Sequence, residues 1–224
     1  MAQIGERLFG WWWWRSPNRP QVTDSTYLRL LEKIPLGVRG LDLGSREPVR
    51  SDALTLDVVP VRGVDVAGDG ARLPFATGSF RYVWSNAVLE HVPRPWVVAK
   101  EIYRVLEPGG WVFVQVPFLE NVHSEPHDYY RFTENGLRIL FEEFEIVAAG
   151  VSAGPGQVLP DLLQYYATGF SELQKGSVWI NLLTIFVGFW LLPIRWLDGP
   201  LQKRPTWWKW ARGVYLVARK PVAS

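Results

Sequence analysis

The chain opens on an aromatic segment without periodicity. From about residue 24 it settles into short apolar runs alternating with amphipathic ones. Tyr27, Leu28, Leu30 and Leu31 follow Asp24 or Ser25, either of which can cap a helix that reaches about Lys33 before Pro35 stops it. Apolar runs then predict strands at 38–43, 54–58, 63–66, 80–85, 111–116, 144–149 and 213–218. Between the fourth and fifth, Val97, Val98, Ile102 and Val105 fall at helical spacing, so a helix is expected over 95–106, with Pro108-Gly109-Gly110 as stop and turn. The run 111–116 is nearly all apolar, as in a strand buried on both faces of a parallel sheet. Thr133 can cap a further helix to about Phe141. Strands alternating with helices predict an α/β, doubly wound, Rossmann-like sheet with ligands at the carboxyl ends of its strands.

Composition narrows the chemistry. At 224 residues, 48% of them hydrophobic, the chain can bury one substantial core. A net charge of +2 argues against a dedicated nucleic-acid binder. The absence of cysteine excludes disulfides and thiolate chemistry. With three histidines, His91, His123 and His127, a histidine-rich metal site is not expected, although a mixed histidine and carboxylate site stays open.

The chemistry concentrates between residues 40 and 110. Gly44 directly follows a buried strand, where a ligand can approach the backbone closely, or where a glycine simply makes a turn. Asp57 ends the second strand, placed either to accept the hydroxyls of a ribose or to stand in solvent. Then come Asp69-Gly70-Ala71-Arg72-Leu73-Pro74-Phe75, Leu89-Glu90-His91-Val92 and Arg104-Val105-Leu106-Glu107-Pro108-Gly109-Gly110. This ordered set resembles the class I S-adenosylmethionine-dependent methyltransferase family, in its type 11-like form. The resemblance implies a seven-stranded methyltransferase sheet and S-adenosylmethionine as cofactor. It also implies that Asp42 and Gly44 line the methionine end, Asp57 holds the ribose hydroxyls, Asp69 and the Gly70 amide meet the adenine, and Ser85 lies under the methionine part. Two departures stand out. Gly44-Ser45-Arg46 replaces the family's Gly-x-Gly, and about ten residues separate the first two strands, too few for an ordinary helical crossover.

The segment from Pro117 to Thr133 follows the most apolar strand and is dense in groups that titrate or hydrogen-bond. It resembles runs in a subset of the same family. Methyl transfer relies mainly on alignment, with a base where the acceptor carries a proton. The expected catalytic groups are His123 or His127, with His91 next. Asp128, Tyr130 and Arg131 are the expected acceptor-binding residues, against the alternative that Asp128 and Arg131 form a structural ion pair.

The ends carry a different signal. Trp11 to Trp14 are consecutive, 176–194 has no charged residue, and Trp207, Trp208 and Trp210 alternate with cations. These features predict an aromatic appendage over 1–23. They also predict a mainly helical insertion over about 154–208, before the last strand, that covers the site or docks to an anionic membrane surface. A homodimer interface or an ordinary apolar cap is the competing expectation. A single span at 178–194 would strand 213–218 on the far side of the bilayer from its sheet, so a cytoplasmic, peripherally membrane-associated protein is expected. The function expected is methyl transfer to a small or lipid-linked acceptor. The alternative is a non-catalytic methyltransferase-fold adaptor.

Overall fold

The computed structural model describes residues 26–123, 127–169, 186, 189–190, 193–194, 198–201 and 206–222. They belong to two compact units, one of 24–152 with 213–224 and one of 1–23 with 153–212. The aromatic appendage expected over 1–23 lies outside the described residues, as does most of 176–194.

The first unit holds a seven-stranded sheet. Its elements are α1 (Thr26–Glu32), β1 (Gly40–Leu43), β2 (Ala53–Asp57), β3 (Val66–Ala67), β4 (Phe80–Asn86), a 3-10 turn (Leu89–His91), α2 (Pro95–Val105), β5 (Leu106–Pro117), α3 (Glu134–Leu140), β6 (Glu145–Ala153) and β7 (Gly213–Arg219). The strand order is β3-β2-β1-β4-β5-β7-β6. β1 runs parallel to β2 and β4, β2 to β3 and β4 to β5, while β7 enters antiparallel to β5. The doubly wound expectation therefore holds, with one reversed strand near the edge.

Alternation along the central strands divides the core. Tyr82 and Trp84 of β4, Phe113 of β5 and Tyr215 and Val217 of β7 share one buried cluster with Tyr27, Leu31 and Ile34 of the α1 segment. Tyr27 stacks obliquely between Trp84 and Tyr215, at ring-centroid distances of 5.6 and 5.1 Å. Each such buried side chain contributes about 1.5–3 kcal/mol through removal of apolar surface from water. Gly40 is required for this packing, because a Cβ there would lie 2.0 Å from Cζ of Tyr82.

The crossover from β1 to β2, residues 44–52, contains no helix. Arg50 holds it instead. Its guanidinium donates to the carbonyls of Leu31, Ile34 and Pro35 and twice to the Asp52 carboxylate. Asp52 also accepts from the Tyr82 hydroxyl at 2.6 Å and from the Gly37 N–H. Against burial, those donors hold its carboxyl below the usual range.

The turn expected at Pro108-Gly109-Gly110 does not break the strand. Those residues belong to β5, whose register to β4 jumps from Phe80↔Leu106 to Tyr82↔Trp111. The extra residues bulge outward and are captured by Lys220, whose carbonyl accepts from Gly109 N–H and whose N–H donates to Gly110.

In the second unit, α4 (Pro155–Gly169) contains Pro160, and α5 (Asp198–Leu201) and a 3-10 turn (Trp207–Trp210) follow. Asp198 is buried and accepts from the Gly156 N–H at 2.8 Å. Arg212 pairs with Asp161 at 3.0 Å. Among the described residues no helix is long and apolar enough to cross a membrane.

Candidate active site at the carboxyl edge of the sheet

Parallel strands β2, β1 and β4 are neighbours, so the residues at their carboxyl ends come together regardless of chain distance. Asp42 in β1 is 2% exposed, and one carboxylate oxygen accepts from the Val49 N–H at 2.7 Å. Burial pushes its carboxyl up to about 7, opposed by that single hydrogen bond. Gly44, just past β1, has φ +70, and a Cβ there would sit 2.5 Å from Cγ2 of Val88. Both the backbone conformation and this close approach demand glycine.

Leu43 faces Ser85 of β4 across the sheet. Ser85 is buried, and its hydroxyl has no hydrogen-bond partner among the described residues. Asp57 ends β2 with one oxygen accepting from the Val59 N–H at 2.8 Å. Asp69 follows β3, exposed, with Oδ1 accepting from the Ala71 N–H at 2.8 Å. Gly70, beside it, is half-buried. Arg46, the departure from the family's small residue, is exposed.

Two residues not singled out from the sequence shape this edge. Glu101 accepts from the Leu73 N–H at 2.8 Å, and Arg104 donates to the carbonyls of Leu73 and Phe75 while pairing with Glu101. α2 thereby tethers the Leu73-Pro74-Phe75 loop. Their spacing on one helix face, with Glu101 three residues before Arg104, was a signal available in the sequence.

The loop after β5 folds onto the turn after β4. Arg131 directs all five of its N–H groups inward. They go to the carbonyls of Glu120, Asn121 and Tyr130 and to both oxygens of Asp128. The Arg131 guanidinium, against burial, holds the Asp128 carboxyl down at about 2. Asp128 also accepts from the His123 N–H, and Tyr130 donates its hydroxyl to the Pro93 carbonyl. Asp128 and Arg131 thus form the internal clamp of the loop. His127 gives its carbonyl to His91 Nδ1 at 2.6 Å, while its own exposed ring lies against Tyr129.

The clamp brings His123 beside His91, with ring centroids 5.0 Å apart, and both beside Glu90. Glu90 is wholly buried, and burial pushes its carboxyl up to about 7, opposed by its own backbone N–H, the nearby histidines and Arg131. Sequence reasoning assigned no role to Glu90, although it stands inside the Leu89-Glu90-His91 motif. A separate cavity of about 430 Å³ between α2 and α3 shares only Tyr130 with these groups.

Residues 27–114 match the model of a methyltransferase-domain family. An uncharacterized methyltransferase of Mycobacterium sp. (strain KMS) is 39% identical over 72 residues, which are 32% of this chain and 29% of that protein. The chain therefore spans less than a third of the curated relatives it matches. Among solved structures, a putative sarcosine dimethylglycine methyltransferase from Galdieria sulphuraria superposes with a TM-score of 0.55 at 15% identity, covering 88% of this chain and 83% of that one. A phosphoethanolamine N-methyltransferase of Haemonchus contortus, in complex with S-adenosyl-L-methionine, gives 0.52 at 16% identity, covering 88% and 52%. The seven-stranded sheet has the fold of these solved methyltransferases.

Proposed function

We propose that this chain transfers a methyl group from S-adenosylmethionine to a small or lipid-linked acceptor, at an anionic membrane surface. One observation carries the reading. The carboxyl ends of adjacent strands present Asp42 with Gly44, Asp57, Asp69 and Ser85 in the order that the donor's parts require. The fit is chemical. The buried Asp42 carboxyl and the unpartnered Ser85 hydroxyl match a cationic amino group. Asp57 and Asp69 each retain acceptor capacity beyond one backbone N–H, for ribose hydroxyls and an adenine amino group. The donor supplies an activated methyl group. The protein's part is to orient the acceptor and favour loss of its proton at the corner of Glu90, His91 and His123.

Calorimetric titration tests the first step. S-adenosylmethionine and S-adenosylhomocysteine are expected to bind the full chain. Asp57→Ala is expected to weaken both by about 10–100-fold, the value of charge-assisted hydrogen bonds. No binding to the unaltered chain would instead favour a non-catalytic adaptor, which the helix-free crossover 44–52 makes the second reading.

The membrane part rests on exposed aromatic groups in the second unit. Phe186, Phe189, Trp190, Trp208 and Trp210 are exposed, and Lys209 lies over the Trp208 ring at 5.9 Å. Tryptophan beside cations suits an anionic headgroup region. In a flotation assay the chain is expected to rise with vesicles rich in phosphatidylserine and to stay below with neutral ones. Complete recovery in the soluble fraction in both cases would refute this location.

A further inference from the structure

We propose that Glu90, His91 and His123 form a binding site for one divalent transition-metal ion of the zinc type. The Glu90 carboxyl is wholly buried, and neither oxygen has a hydrogen-bond partner among the described residues. An unpartnered buried carboxylate is costly. What faces it is Nε2 of His91 at 3.8 Å and Nε2 of His123 at 3.9 Å, both measured to the same Glu90 oxygen. These distances are too long for hydrogen bonds.

The far side of each ring fixes what those nitrogens carry. His91 Nδ1 lies 2.6 Å from the His127 carbonyl, and His123 Nδ1 lies 3.2 Å from the Asn121 carbonyl. A carbonyl oxygen can only accept, so both Nδ1 atoms hold the hydrogen. In the neutral rings each Nε2 is therefore a lone pair. One ligand atom from each residue lies within 4.8 Å of the other two, so two imidazole nitrogens and a carboxylate oxygen converge on one point. A metal cation would engage all three at once. Histidines whose outer N–H is fixed by a carbonyl are also the form that metals bind.

Two imidazoles and one carboxylate favour zinc or a similar first-row ion over magnesium or calcium. Ligand atoms around four-coordinate zinc sit roughly 3.3 Å apart, so the Glu90 contacts need draw in by roughly 0.5 Å and the two Nε2 atoms by up to roughly 1.5 Å. His123, with its side chain 35% exposed on a loop, has room to do so. Three protein ligands leave a fourth position open, the pattern of a catalytic rather than a structural site. Resting on the methyl-transfer reading, that position takes the acceptor's hydroxyl or thiol. Coordination releases its proton to solvent, the freed electron pair bonds the methyl carbon, and the breaking C–S bond returns its electrons to sulfur.

The test uses the full chain freed of metal by chelation and dialysis, without methyl donor. Titrated zinc is expected to saturate at one equivalent per chain, and cobalt(II) to give the visible bands of a four- or five-coordinate site. His91→Ala, His123→Ala and Glu90→Gln are each expected to weaken binding by more than about 100-fold, beyond the cost of losing an outer-shell partner. His127→Ala is expected to bind normally. His123→Ala carries the test if the buried Glu90 variant fails to fold. Absence of stoichiometric binding by the unaltered chain would overturn the proposal, as would unchanged binding by a His91→Ala/His123→Ala double variant. A parallel S-adenosylmethionine titration on the same preparation separates this failure from failure of the methyl-transfer reading.

Discussion

Arg50→Ala is expected to lower the thermal unfolding midpoint by about 5–15 °C. The reason lies in what one guanidinium holds. It donates to three carbonyls at the end of the α1 segment and forks onto Asp52, with both side chains 11% exposed. Removing one partner of a buried pair leaves the other uncompensated, at about 3–5 kcal/mol. Here the loss is softened to about 2–4 kcal/mol, because Asp52 keeps the Tyr82 hydroxyl and the Gly37 N–H. A domain of this size loses about 2–4 °C per kcal/mol. Arg50→Lys keeps the charge without the planar fork and is expected to recover less than half. Calorimetric melts of the three proteins check this, and a shift for Arg50→Ala below about 2 °C would contradict the role assigned to Arg50.

The strength of this staple also explains a feature that the sequence predicted without its remedy. Ten residues between strands cannot hold a crossover helix, and the structure has none over 44–52. Nothing in local periodicity singles out Arg50, since the carbonyls it holds lie 15 to 19 residues away in the chain. Periodicity reads elements, and it found β4 and β5 because both are buried on both faces, while the short edge strand expected at 63–66 lies at Val66–Ala67. It failed at Pro108-Gly109-Gly110, where the turn chemistry was real but the main chain of Lys220 supplied the hydrogen bonds that keep those residues in the strand.

The site divides in the same way. Residues at strand ends could be placed because sheet order brings such ends together. The roles of loop residues could not, because a sequence displays hydrogen-bonding capacity and not where it is used. Arg131 stood open between a ligand anchor and a structural ion pair with Asp128, and its N–H groups close its own loop. Glu90 was hidden for the opposite reason. Its partner His123 stands more than thirty residues further on, beyond β5, and the two meet because the Asp128–Arg131 clamp shapes the loop and the Tyr129 N–H ties it to the Glu90 carbonyl.

Asp42→Asn is expected to make the ligand-free protein more stable and a poorer binder. Burial raises the Asp42 carboxyl from 3.8 to about 7, so the folded state keeps a proton that the unfolded chain has already released between those values. The unfolded chain binds fewer protons in that window, so stability falls as pH rises from about 4 to about 7 and levels off above. At about 1.4 kcal/mol per pH unit, the cost above pH 7 is on the order of 4 kcal/mol. Asparagine keeps an oxygen for the Val49 N–H without the charge, so its melting point at pH 8 is expected to rise by several degrees and its stability to lose this dependence on pH. A cationic amino group beside Asp42 would favour the ionised form, so donor binding is expected to release a proton below pH 7 and to tighten up to tenfold per pH unit toward it. Asp42→Asn should abolish that slope and weaken binding by about 10–100-fold. Titrations of S-adenosylmethionine at pH 6 and 8, in buffers of different ionisation enthalpy, measure both. Equal stability of the two proteins at pH 8, with equal proton release, would show that Asp42 neither strains the free protein nor meets the donor's charge.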